Sequence, residues 1–154
     1  GMIDWNNLEF ISKDIYQFLE HYKVVKGDII ISIAGTVGKT ALIDKDIKNI
    51  ILTENCAKLE IRDTAKLLPE YLTILLELSI SKRQMELGFI QTTIPKLGFD
   101  KIEQILLPTI PPLAKQKEIA EHITNIRNQA QTLKDKTNHL LKKASEEIEE
   151  ILLG

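Results

Sequence analysis

From Leu113 to Leu153 the chain carries neither glycine nor proline, and its apolar or small side chains recur every seven residues. Ile119, Ile123, Ile126, Ala130, Leu133, Thr137, Leu140 and Ala144 follow one another in alternating steps of four and three. That is the spacing of a helix that packs lengthwise against another helix. The pattern slips at Glu147, and Ile148, Ile151 and Leu152 take it up again. A helix of about 39 residues is roughly 58 Å long at 1.5 Å per residue, longer than a domain of this size is wide. Globular helices average near a dozen residues, so the stripe predicts a coiled-coil partner rather than a helix folded back on its own domain. Ala130, Thr137 and Ala144 alternate with larger side chains and let helix backbones approach closely. A homodimer through these eight positions is the expectation.

The preceding residues read differently. Pro108, Pro111 and Pro112 stop whatever precedes them, which sets expected domains of 2–112 and 113–153. Ser12 to Tyr22 reads as a helix capped by Ser12, with Ile15, Phe18, Leu19 and Tyr22 on one stripe. A Gly27-Asp28 turn then leads into the β-branched run Ile29–Ile33, a buried strand. Lys39–Ile43, Ile50–Thr53 and Ala57–Ile61 read as further strands, the last with a wet face of Lys58, Glu60 and Arg62. Pro69 opens a helix at a favoured first-turn position, with Leu72, Leu75 and Leu76 inward and an expected end at Leu87. Gly88–Gly98 reads as a loop, and Ile102–Leu107 as a short turn and strand. The predicted class is α+β: a small, mixed, β-rich domain followed by one long C-terminal coiled-coil helix.

Composition constrains function mainly by exclusion. Of 154 residues, 44% are hydrophobic and 27% charged, ordinary for a soluble globular protein. No apolar run approaches the roughly 20 residues that span a bilayer, and the N-terminus lacks the basic start and apolar stretch of a signal peptide. A cytoplasmic location away from membranes is therefore expected. The net charge of −2 does not announce a nucleic-acid partner, so any basic surface has to be assembled by folding. A single cysteine, Cys56, and three scattered histidines assemble no recognised zinc pattern, and no carboxylate pair demands acid–base roles. Gly35-Thr36-Val37-Gly38-Lys39-Thr40 has the look of a phosphate loop. Two residues rather than four separate its first glycine from Gly-Lys, and Ala41-Leu42-Ile43 reads as strand where a phosphate-holding helix would begin. The better reading is a tight turn whose glycines take positive φ, able to grip a DNA phosphate with Lys39. Gln91-Thr92-Thr93-Ile94-Pro95-Lys96 is a polar loop whose threonines can read base edges and whose lysine can hold phosphate.

In their order and spacing these pieces resemble a known family. The segments are Ile11-Ser12, Ile15-Tyr16, Val25-Lys26-Gly27-Asp28-Ile29-Ile30-Ile31-Ser32, Gly35-Thr36-Val37-Gly38-Lys39 and Gln91-Thr92-Thr93-Ile94. They end in Ile105-Leu106-Leu107-Pro108, Ile110-Pro111-Pro112-Leu113, Gln116 and Ile119-Ala120. The arrangement is similar to one target recognition domain and its spacer helix in the specificity subunits of type I restriction-modification systems. A full subunit of that kind carries two of each. The resemblance implies a non-catalytic, sequence-specific DNA-recognition half-subunit without a cofactor of its own. Partner methylation and restriction subunits would act on the DNA, the former modifying adenine with S-adenosylmethionine in their own pockets. Double-stranded DNA would meet Ser32, Gly35, Thr36, Gly38, Lys39, Thr92, Thr93 and Lys96. Homodimerisation through the helix would rebuild a two-domain reader of a palindromic or inverted bipartite site. The alternative is a protein-interaction module that assembles through its helix and does not touch DNA.

Overall fold

The computed structural model describes residues 3–5, 7–88 and 96–153. The chain divides into two compact units, Gly1–Lys117 and Glu118–Gly154. The first is built on a three-stranded antiparallel sheet of order β2-β1-β3, with β1 at Ile29–Ser32, β2 at Thr40–Leu42 and β3 at Cys56–Leu59. Ile29, Ile30 and Ile31 each face a partner on both sides, Ile31 opposite Thr40 and Ala57. Alternation does the rest. Ile29 and Ile31 are fully buried while Ile30 and Ser32 are half-buried, as the two faces of a pleated strand require. Ala57, Leu76, Met85, Leu97 and Ile102 close the core over Ile29 and Ile31. The Gly27-Asp28 turn forms as expected. Gly27 takes φ +96°, and the Asp28 carboxylate accepts from the Val25 amide at 2.8 Å.

Helix α1 spans Lys13–Phe18, and the Ser12 hydroxyl accepts from the Ile15 amide at 3.4 Å. The helix is shorter than its apolar spacing predicts. A 3₁₀ turn at Glu20–Tyr22 replaces its last part, because the chain is drawn into pairing with the segment around Ile51. The Leu52 amide donates to the Tyr22 carbonyl at 3.0 Å and the Val24 amide to the Ile50 carbonyl at 3.1 Å. The expected inward stripe is consequently exposed at Ile15, Phe18 and Tyr22. The expected strand Ile50–Thr53 is reduced to one bridge, Ile51 to Lys23.

The predicted helix from Pro69 to Leu87 is two helices, α2 at Pro69–Glu77 and α3 at Ser79–Leu87. Leu78 between them is extended, with φ −59° and ψ 146°. The buried Ser81 hydroxyl takes the Leu75 carbonyl at 2.7 Å, satisfying an acceptor that a continuous helix would have bonded itself. The expected strand at Ile102–Leu107 is also replaced. Phe99–Glu103 forms helix α4, and the backbone of Leu106 pairs with the side-chain amide of Gln84 instead of a strand. Its N–H donates to Gln84 Oε1 at 2.8 Å, and its carbonyl accepts from Nε2 at 3.0 Å.

Helix α5 runs Leu113–Leu153, 41 residues or roughly 61 Å. Its first turn belongs to the first unit through Gln116, which is fully buried. Gln116 Oε1 accepts from the Leu68 amide at 2.9 Å, and Nε2 donates to the carbonyls of Lys66 and Pro111, both at 2.8 Å. Truncating this amide leaves buried backbone groups without partners, each costing about 1–3 kcal/mol. Gln116→Ala is expected to lower the unfolding stability of the first unit by about 2–4 kcal/mol, measured as a urea transition followed by Trp5 fluorescence.

Candidate nucleic-acid interface

The turn between β1 and β2 is held from within. Ser32, the last residue of β1, accepts from the Gly38 amide through its carbonyl at 2.8 Å, and its own amide donates to the Lys39 carbonyl at 2.9 Å. Its hydroxyl donates to the Thr36 carbonyl and accepts from the Lys39 amide, the latter at 3.1 Å. Val37 N–H turns inward as well, onto the Gly35 carbonyl at 3.1 Å. Gly35 and Gly38 take φ +72° and +80°, the left-handed conformation in which a side chain is strained. The two glycines meet different surroundings. Gly35 has open space where a Cβ would stand, whereas at Gly38 that atom would lie 3.3 Å from the sulfur of buried Met85. Gly38 is buried, while Gly35, Thr36 and Lys39 are exposed.

The eight residues nominated from sequence therefore separate by placement. Half-buried Ser32 and buried Gly38 shape the turn. Gly35, Thr36 and Lys39 form its outer edge, and the amides of Gly35 and Thr36 donate to no acceptor among the described residues. Lys96 is brought to the same edge from far along the chain. It forms a bridge with Ala34, and the neighbouring Leu97 amide donates to the Ile33 carbonyl at 2.9 Å. Thr92 and Thr93 lie outside the described residues. Lys39 and Lys96 are both exposed and make no ion pair with a described residue. Lys58 on β3 is occupied. Lys58 donates to the Lys23 carbonyl at 3.0 Å and lies 3.9 Å from the Asp28 carboxylate. It also pairs with Glu60, and that hydrogen bond and charge hold the Glu60 carboxyl below its ordinary range. The residues missed from sequence are the pair Ile33 and Ala34, which dock the Lys96 segment. Both sit at the end of an apolar run and carry no polar signal.

Nothing at this edge resembles a catalytic constellation. β2 follows Lys39 directly, so no helix N-terminus stands behind the glycine turn. Among the described residues no group of three His, Cys, Asp or Glu could hold a metal ion. Burial pushes the Cys56 thiol up, against an opposing hydrogen bond with Thr53, which keeps it in its less nucleophilic form. Among the described residues no helix is long and apolar enough to cross a membrane.

Residues 1–143 match the family described as the type I restriction modification DNA specificity domain. Among curated proteins, the type I restriction enzyme EcoBI specificity subunit of Escherichia coli is 25% identical over 159 residues, covering 99% of this chain and 31% of that protein. Among solved structures, the S subunit of a type I restriction-modification system from M. genitalium superposes with a TM-score of 0.62 at 18% identity. That superposition covers 73% of this chain and 29% of that one, and it establishes a shared fold. The chain thus spans about a third of the length of these relatives. The turn geometry makes its own prediction. Gly35→Ala is expected to cost about 1 kcal/mol, from the left-handed backbone alone. Gly38→Ala is expected to cost about 2 kcal/mol, since Met85 must also move. Paired thermal melts of the two variants measure the difference.

Proposed function

The chain belongs to the type I restriction modification DNA specificity family, and on that premise we propose that it is a non-catalytic reader of one DNA half-site in such a system. Residues 2–112 serve as the recognition domain and 113–153 as the spacer helix. The observation that carries this reading is the bridge between Ala34 and Lys96, which sets the Lys96 segment beside the β1–β2 turn. Lys39 and Lys96 contact phosphates of double-stranded DNA. The amides of Gly35 and Thr36 add donors, and Thr36, with Thr92 and Thr93 on the segment before Lys96, reads base edges. Ser32 and Gly38 contribute by holding the turn. A net charge of −2 is compatible with this role, because two locally presented cations act within a Debye length of about 8–10 Å, where the bulk charge counts for little.

The second half of the proposal concerns α5. Its seam is exposed along the middle of the helix, with Ile126 48%, Leu133 64% and Leu140 65% accessible. Burying such side chains is worth roughly 1.5–3 kcal/mol each, so Ile119, Ile123, Ile126, Ala130, Leu133, Thr137, Leu140 and Ala144 take a second spacer helix. A second copy of this chain is the simplest supplier, giving a homodimer that reads an inverted bipartite site. Methylation and restriction subunits dock on the assembly in the cytoplasm. They perform the adenine methylation and the cleavage, with S-adenosylmethionine held by the methylation subunit.

Two measurements test these halves separately. Lys39→Ala and Lys96→Ala are each expected to weaken binding of a mixed-sequence duplex and to reduce the slope of log affinity against log salt by about 1. Fluorescence anisotropy over a salt series reads both, and an unchanged slope in the double variant would remove the assignment. Ile126→Asp combined with Leu133→Asp is expected to abolish helix pairing, seen as monomer in sedimentation equilibrium. A dimer that survives the double change would exclude the seam.

A further inference from the structure

We infer that Ile148, Ile151 and Leu152, beyond the slip at Glu147, dock beside Ile119 and Ile123 of a second copy and thereby set the register of the α5 pair. The inference rests on the helix pairing proposed above and adds a further contact face and an alignment. The three residues are 56%, 80% and 76% accessible in the single chain. The slip does not break the helix, since α5 is one element from Leu113 to Leu153. It moves the stripe. A strict seven-residue repeat drifts about 20° per heptad round a straight helix, so over the three heptads from Ile119 to Leu140 the seam turns by about 60°. From Ala144 to Ile148 the step is four residues where the repeat calls for three. The eleven residues from Thr137 to Ile148 are close to three whole turns, and Ile148 returns to within about 20° of Ile119 round the helix. Glu147 is left on the flank, 3.6 Å from Lys143. The slip therefore extends the apolar stripe instead of ending it.

A stripe that runs from Ile119 to Leu152 is matched end to end in one antiparallel alignment, centred on Asp135. Facing positions then lie equally far from Asp135. Ile126 meets Ala144, Ala130 meets Leu140 and Leu133 meets Thr137, each a large side chain against a small one, as even layers require. At both ends Ile151 meets Ile119, and Ile148, carried round by the slip, meets the stripe beside Ile123. Ile119 and Ile123 are half-buried in the single chain, with part of each still open. Parallel pairing instead stacks Ala130, Thr137 and Ala144 each on its own copy, leaving three thin layers between thick ones, which close packing disfavours. An antiparallel alignment one heptad nearer the start sets Ile151 against Pro112 and Ile148 against Lys115, beside fully buried Gln116. One heptad the other way sets Ala130 against Glu147. The exposed Lys134 and Lys136 come near their own copies at the centre, but solvated rim charges weigh little beside buried apolar layers.

The test uses the full chain with a nitroxide attached at Ser145→Cys in a Cys56→Ser background, and reads the label-to-label distance by double electron–electron resonance. In the alignment centred on Asp135 the two labels stand about 30 Å apart along the helix axis at 1.5 Å per residue, and a distance of roughly 30–35 Å is expected. A distance about 10 Å longer or shorter marks a one-heptad shift, and one near 10–15 Å marks parallel pairing. Either would overturn the inference and leave helix pairing standing. A chain that stays monomeric in sedimentation equilibrium would overturn the pairing along with it. The docking face is tested by Ile148→Asp with Ile151→Asp, which is expected to weaken self-association at least tenfold, each change being felt twice in a two-fold pair. A double variant that dimerises as tightly as the parent would show that the residues beyond the slip take no part.

Discussion

The side-chain amide of Gln116 ties together the three segments that decide how the first unit ends. It is fully buried and has partners in the loop before α2, in the proline-rich boundary and at the start of α2. Helix α2 has no side-chain cap of its own at Leu68. The Leu68 amide is taken instead by a residue 48 positions away. A buried amide is tolerated only when its bonds are made, so the first turn of α5 and the loop before α2 hold each other in place. The Pro112 carbonyl accepts from the amides of Lys115 and Gln116, which begins the α5 backbone ladder beside the same contact. The helix therefore starts at a fixed point of the first unit.

What could be read from sequence follows from whether the cause was local. β1 was legible because Ile29, Ile30 and Ile31 are β-branched and bounded by a Gly-Asp turn. The α5 period was legible because it repeats over several turns. The Ser12 cap and the positive φ of Gly35 and Gly38 were legible because each is a property of one residue type. Distant competitors decided the rest. Leu78 interrupts a helical pattern because Ser81 supplies an alternative partner for the Leu75 carbonyl. The Ile105–Leu107 segment has a strand's composition, yet Gln84 does the work of the neighbouring strand. The α1 stripe has helical spacing, but pairing of Tyr22 and Val24 with the segment around Ile51 ends the helix early. Gln116 stands out in the sequence only through the resemblance, and its bonds were not legible because its partners lie in loops that carry no periodicity.

The candidate interface shows the same division. Lys39 and Lys96 were nominated by residue type and by resemblance, and the Ala34–Lys96 bridge that places them on one edge has no local signature. Two of the nominated residues, Ser32 and Gly38, are taken up by the hydrogen bonds that make the turn. This leaves a short outer edge of Gly35, Thr36 and Lys39 with Lys96 alongside. Lys58, by contrast, is tied to Asp28 and Glu60.

The most direct measurement is selection of duplexes from a randomised pool by the chain assembled with its methylation subunit, run in parallel with Thr36→Ala. The account predicts a two-part motif with a fixed unspecified gap, and relaxed base preference at one position of a specified block in the variant. A pool that emerges without a motif, or a motif that Thr36→Ala leaves unaltered, would contradict the claim that this edge reads DNA.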